Sequence, residues 1–302
     1  NIKLDREFKN NGLLLFEKIL KKKKRKLIQI LIEKNAFSQC TSLKRVSMPK
    51  SLTLIGSLAF FHCISLEKIL IPSTVTFIGD DAFSRCQSLK KIKISSPLTY
   101  IGDNAFSYCK SITKILIQAP LSTIGRYACN YCYSITQIII PSTVIIIEKS
   151  SFNCCQSLTH ISIPSSVTKI GKKAFYGCKS LTDIVIPSSV TNIGKMAFCG
   201  CTSLQKISIP SGVFIIKQST FAKCSSLSHV SIPHSVKEIR KYAFSECWVL
   251  SQIQIPRFVT KIEKHAFSFC ELLEKVSIYS SIIKISNIAF FRCKSLIKVD
   301  IS

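Results

Sequence analysis

The chain has 302 residues, 47% of them hydrophobic and 19% charged, which is too apolar for a disordered chain and enough to fill a long core. Its 42 Lys and Arg against 16 Asp and Glu leave a formal charge of +26, a balance that favours acidic or polyanionic partners and says nothing about fold. No apolar run reaches the roughly eighteen residues of a membrane span, because Lys, Ser, Pro or Gly cuts every stripe within a few residues.

Residues 1–29 fit no pattern found later and read as an irregular basic lead-in or a degenerate repeat. They include the run KKKKRK at 21–26. That run suits either a nuclear-import or polyanion patch, or simply a solvated stretch of charge. No signal-peptide pattern is legible.

From residue 30 the chain repeats itself as a single solenoid unit running to 302. Cys recurs at 40, 63, 86, 109, 132, 155, 178, 201, 224, 247, 270 and 293, always 23 residues apart. Three places before each stands Phe, with Cys129 as the exception, and three places after stands Leu or Ile. Six and eight places after lie apolar residues, usually followed by Pro. In one unit, Leu181, Ile184 and Ile186 end in a period of two, so a short strand is expected with Asp183 and Val185 facing outward. Pro187 closes it, where a missing N–H costs no ladder bond, and Ser188-Ser189 continue as a polar turn.

Val190 and Ile193 then step by three toward Gly194, and "KMAFCGC" carries Ala197, Phe198 and Cys201 at helix-like spacing, which predicts a short helical turn. Gly at 56, 79, 102, 125, 171 and 194 suits positive φ or close backbone approach. Lys217, Arg240, Glu263 and Ser286 take its place later, so less regular coils are expected there. One unit cannot bury its own apolar face, whereas stacked copies place each Leu, Ile and Phe against its twin. Strands about 4.8 Å apart over the twelve units would give a parallel sheet on the order of 50 Å long. Val299 and Ile301 end the sequence at a strand position without a polar cap, which suits a fragment of a longer solenoid.

The unit C-x-x-L-x-x-I-x-I-P-x-x-V-x-x-I-G-x-x-A-F resembles the BspA-type leucine-rich repeat, also described from treponemal leucine-rich repeat proteins, over about residues 30–302. The departures are Cys129 for Phe, Ser95 and Gln118 for Pro, and the missing glycines. The resemblance implies an α/β leucine-rich repeat solenoid, with a parallel β-sheet on the concave face and short helical turns on the convex side. It also implies a non-enzymatic protein-binding module, a surface antigen or adhesin that binds host or matrix proteins at the cell surface or after secretion.

Fifteen cysteines raise the question of disulfides, but twelve occupy one place in successive coils, where a small inward-facing thiol suits the turn. Cys129 and Cys132 form a C-x-x-C without a second pair or a His cluster for zinc, and Cys154 and Cys199 are the candidates for reactive thiols. His62, His160, His229, His234 and His265 are scattered, and no nucleophile, phosphate or metal motif accompanies them, so no catalytic, cofactor or metal residue is assigned. Asp80-Asp81 is read as ordinary charge at a helix N-terminus.

The informative surface is the outward face of the strands. Five and seven places after the ladder Cys it presents Lys68, Leu70, Lys91, Lys93, Lys114, Leu116, Ile139, His160, Val185 and Lys206, the candidate partner-binding residues. Aliphatic anchors bordered by cations suit an acidic protein. The competing reading is that Lys keeps the sheet soluble. Two further functions stay open: an intracellular interaction scaffold, and a basic polyanion binder for glycosaminoglycan, acidic membrane surface or RNA. Sequence-specific nucleic acid does not suit the strands, because Tyr100, Tyr108, Tyr127, Tyr131 and Tyr133 fall in loops and turns. No N-x-Ser/Thr acceptor occurs, which leans against a eukaryotic secretory route.

Overall fold

The computed structural model describes residues 30–94, 97–98, 100–279 and 284–301. The lead-in at 1–29 and Ser95 lie outside them. Within them the 23-residue period becomes a stack of coils with three sides.

The first side is the expected parallel sheet. Lys91–Ile94 alternates exposed and buried residues and pairs with Lys114–Ile117, placing Ile92 beside Ile115 and Ile94 beside Ile117. The ladder continues through Gln137–Ile139 to His160–Ser162, each partner 23 residues on. Equivalent pairings join Arg45–Val46 to Lys68–Ile69, Lys206–Ser208 to His229–Ser231, and Gln252–Ile255 through Lys275–Ile278 to Lys298–Ile301. Alternation puts one face in the core and the other in water.

The second side is also a parallel sheet, where the sequence suggests only a connection. Phe77–Ile78 pairs with Tyr100–Ile101, and a separate ladder runs through Thr123–Ile124, Ile146–Ile147, Lys169–Ile170 and Asn192–Ile193. Ile215–Ile216 through Lys284–Ile285 form another. These strands have two residues each, too short to show alternation, and a buried Ile anchors each one except the last, where Ile285 is exposed.

The third side corrects the expected short helical turns on the convex side: among the described residues there is no helix. In "KMAFCGC" the N–H groups of Ala197, Cys199 and Cys201 reach back three residues, to Gly194, Met196 and Phe198. Those of Met196, Phe198 and Gly200 leave the coil for Gln218, Thr220 and Ala222 of the next one, at 3.0, 2.9 and 2.8 Å. Met196 at φ 59° and Gly200 at φ 75° are left-handed, as are Tyr127 and Tyr131 at 57°. A left-handed L-residue costs about 1–2 kcal/mol and stops a helix. Here it turns alternate donors outward to the neighbouring coil, so the chain exchanges local bonds for stacking bonds.

Gly102 shows why Gly occupies its row. Its φ is not positive, and a Cβ there would sit 2.4 Å from the backbone of Gly79 and Asp80. The irregularity expected where Gly is lost occurs at Lys217, where the ladder ending at Asn192–Ile193 does not continue to Ile215–Ile216, but not beyond it: Arg240 and Glu263 donate to Ile216 and Ile239 at 2.9 Å, as Gly79 donates to Ile55 at 2.8 Å.

Inside, Phe37, Phe60, Phe83 and Phe106 stack with centroids 5.2–5.7 Å apart. A second stack runs from Phe152 to Phe290. Cys129, in the Phe position, separates them. Phe175 is fully buried between Phe152 and Phe198, and truncating it to Ala should cost about 3–5 kcal/mol in denaturant unfolding. A cost near zero would contradict the packing. Gly102→Ala should push two coils apart and cost about 1–3 kcal/mol in the same assay.

Candidate functional site

The cysteines are structural, and the reason is a bond. Cys178 donates its thiol to the Phe152 carbonyl of the previous coil at 3.2 Å, and Cys86 does the same to Phe60 at 3.1 Å. The pattern repeats along the ladder, so the thiol is a compact hydrophobe that also brings a donor to a buried carbonyl. All fifteen cysteines are free. Burial pushes the Cys63 thiol up to about 12, and Cys129 likewise to about 12, which suppresses the reactive thiolate in the Cys129-Cys132 pair.

Cys199 is a correction: it is buried and its thiol is raised to about 11, chiefly by desolvation, so it is not a reactive candidate. Cys154 is half-exposed; burial raises its thiol, and Lys179 and Lys173 pull it back.

Asp80 and Asp81 do not sit at a helix start. The Asp80 carboxylate accepts the Asp103 N–H at 2.8 Å, and Asp103 accepts that of Arg126 at 2.7 Å, so these acids tie neighbouring coils together. His265 stacks on Tyr242 at 4.8 Å. Among the described residues no group of three or more His, Cys, Asp or Glu is placed to hold a metal ion. Of the tyrosines, Tyr108 stacks on Tyr131 at 4.7 Å, and Arg85 lies over Phe61 and Tyr108, beside a hollow of about 280 Å³.

The sheet face carries the outward rows in register. Lys91, Lys93, Lys114, Leu116, Ile139 and His160 share one ladder, with Lys91 beside Lys114 and Leu116 beside Ile139. Lys68 and Leu70 belong to the preceding coil, which pairs separately, and Lys206 opens the pair that follows. Val185 follows Asp183, which is joined by a single bridge to His160. Leu70 is 67% exposed, Ile139 48% and Val185 75%, while Leu116 is half-buried. Lys68, Lys91, Lys93, Lys114 and Lys206 form no ion pair, whereas Lys275 and Lys298 at the far end reach Asp300 at 3.8 and 3.2 Å.

Further along this face the sheet opens into a cleft of about 680 Å³ around His229, Gln252 and Gln254, residues not among the expected contacts. The change from aliphatic to Ser and Gln in the outward row is visible in the sequence; the cleft is not.

Stacked coils with a strand, a turn and a second strand in each define a leucine-rich repeat solenoid. The model of the BspA type leucine rich repeat region matches residues 26–135, 122–248 and 193–302, and the chain belongs to that family. It is similar to a leucine-rich repeat protein from Bacteroides ovatus, with 29% identity over 89% of this chain and 82% of that one and a TM-score of 0.66. It is also similar to a leucine rich cell surface protein from Faecalibacterium prausnitzii, with 27% identity over 90% of this chain and 83% of that one and a TM-score of 0.56. No curated protein matches it. Among the described residues no helix is long and apolar enough to cross a membrane.

The thiols make a pH prediction. The folded chain holds its thiol protons to about 12 at Cys63 and Cys129, while an unconstrained thiol releases its proton near 9. Their contribution to stability is therefore complete below pH 9 and is lost as pH rises from there toward about 12. Thermal unfolding across that window should show a falling midpoint. With a thiol-specific reagent near neutral pH, Cys154 should label in the native protein and Cys199 only after unfolding.

Proposed function

We propose that this is a non-enzymatic protein-binding module, a surface antigen or adhesin that captures an acidic host or matrix protein through the first sheet face. The observation that carries the reading is the row of exposed Leu70, Ile139 and Val185 beside the unpaired Lys68, Lys91, Lys93 and Lys114. Exposed aliphatics set among cations cost solubility unless a partner covers them, and they suit desolvated anchoring with electrostatic steering. The backbone ladder beneath Lys91, Lys93, Lys114 and Ile139 holds these side chains at fixed spacing, so a partner would meet them preorganised. Membership of the family and likeness to a cell surface protein support the placement outside the cell.

One observation favours a second reading. Fifteen unbridged cysteines suit a reducing compartment, where the same face would serve an intracellular scaffold. Antibody staining of intact against permeabilised source cells separates the two: signal on intact cells supports the adhesin, and signal only after permeabilisation supports the scaffold.

Lys91→Glu with Lys114→Glu should leave the circular dichroism spectrum and melting unchanged. The pair should reduce capture of acidic matrix protein by about tenfold, mostly through slower association. Unchanged capture would remove the face from the function.

A further inference from the structure

Strand pairing on the first sheet lapses in its C-terminal half, where among the described residues no ladder joins the Asp183 coil to Lys206–Ser208. His160–Ser162 meets the next coil only through the bridge to Asp183, and among the described residues no ladder joins His229–Ser231 to Gln252–Ile255. Where pairing stops after His229–Ser231, the core comes to the surface: Val230 and Ile232 are only partly buried, although their counterparts Ile207 and Ile209 one coil earlier are each 3% exposed. The cleft of about 680 Å³ opens here, with Val185, Val230 and Ile232 among its apolar lining.

We infer that this cleft binds a neutral oligosaccharide. Its hydrogen-bonding inventory differs from the rest of the face. Ser208, Ser231, Gln252 and Gln254 line it, and each side chain can both donate and accept, as each hydroxyl of a sugar does. Lysine, which dominates the earlier coils, only donates. None of these four side chains makes a hydrogen bond within the chain, so their donors and acceptors converge unspent on one hollow. In the free protein water must serve them, and a polyol can replace that water bond for bond.

Charge points the same way. In a chain of net +26, the formally charged lining residues are one acid, Asp183, and one base, Lys206, so the cleft is balanced and offers a polyanion nothing. An apolar floor with Tyr279, 47% exposed, at the rim suits the C–H faces of a sugar ring. The volume falls within the roughly 300–1,000 Å³ of small-molecule sites. The cleft shares Val185 and Lys206 with the face proposed above, but Lys91 and Lys114 lie on earlier coils and take no part, so the two bindings can be told apart.

The test is calorimetric titration of the full chain with cellotriose, mannotriose and the trimer of N-acetylglucosamine, with a heparin hexasaccharide for comparison. At least one neutral trisaccharide should bind, with affinity insensitive to added salt. The Gln252→Ala/Gln254→Ala variant should weaken it by about tenfold or more. Ser231→Trp, which fills the hollow without removing the glutamines, should abolish it, and Lys91→Glu/Lys114→Glu should leave it unchanged. Circular dichroism and a cooperative melt establish that each variant is folded. No binding of any neutral trisaccharide, binding of heparin alone, or neutral binding unmoved in both cleft variants would overturn the inference.

Discussion

Everything in this molecule depends on backbone hydrogen bonds that run from one coil to the next. On the turn side alternate N–H groups leave their own coil, as Phe175 does for Ala197 at 2.8 Å, and on both sheets the strands pair with the neighbouring coils, as Ile92 does with Ile115 and Ile147 with Ile170. A single coil therefore cannot satisfy its own polar groups any more than it can bury its own apolar face. The repeat length must be constant, because an insertion inside one coil would shift its donors out of register with both neighbours. That constraint explains why the period holds at 23 through twelve cysteines while the residues pointing outward vary freely.

Within that frame a few positions carry the rigidity. The Phe stack fills the centre, and the thiol beside it reaches the Phe carbonyl of the preceding coil, so aromatic packing and polar satisfaction are served by residues three apart. Gly at the corner lets two backbones approach more closely than a Cβ allows. These rows leave no reactive constellation behind: their thiols are held protonated, and carboxylates such as Asp80 and Asp103 are spent on backbone N–H groups. Chemistry of recognition is left to the outward rows.

Those rows are not uniform. The coils from Lys91 to His160 present lysines and aliphatics on one continuous ladder, whereas the later coils present serines, glutamines and histidines around a place where the ladder parts. A regular core thus supports two surfaces of different chemistry, one cationic and apolar, one neutral and hydrogen-bonding. They meet at Val185 and Lys206, which line the cleft and also belong to the outward row, and neither surface contributes to the buried stack.

The sequence by itself determined the period, the family resemblance, the first sheet and its inward and outward residues. Each is a local pattern: Leu181, Ile184 and Ile186 declare their strand through spacing alone, and the Cys ladder declares the stack. It did not determine the closure of the coil. Ala197, Phe198 and Cys201 have helix-like spacing, and Met196 or Tyr127 carries no mark of the left-handed backbone it adopts; that conformation is favourable only because a neighbouring coil supplies an acceptor. The second sheet was hidden for the same reason, since two-residue strands exist only as members of a ladder. The cleft beside His229 belongs to the tertiary structure alone, because the sequence there keeps the repeat, and only the three-dimensional stack decides where neighbouring strands stop pairing.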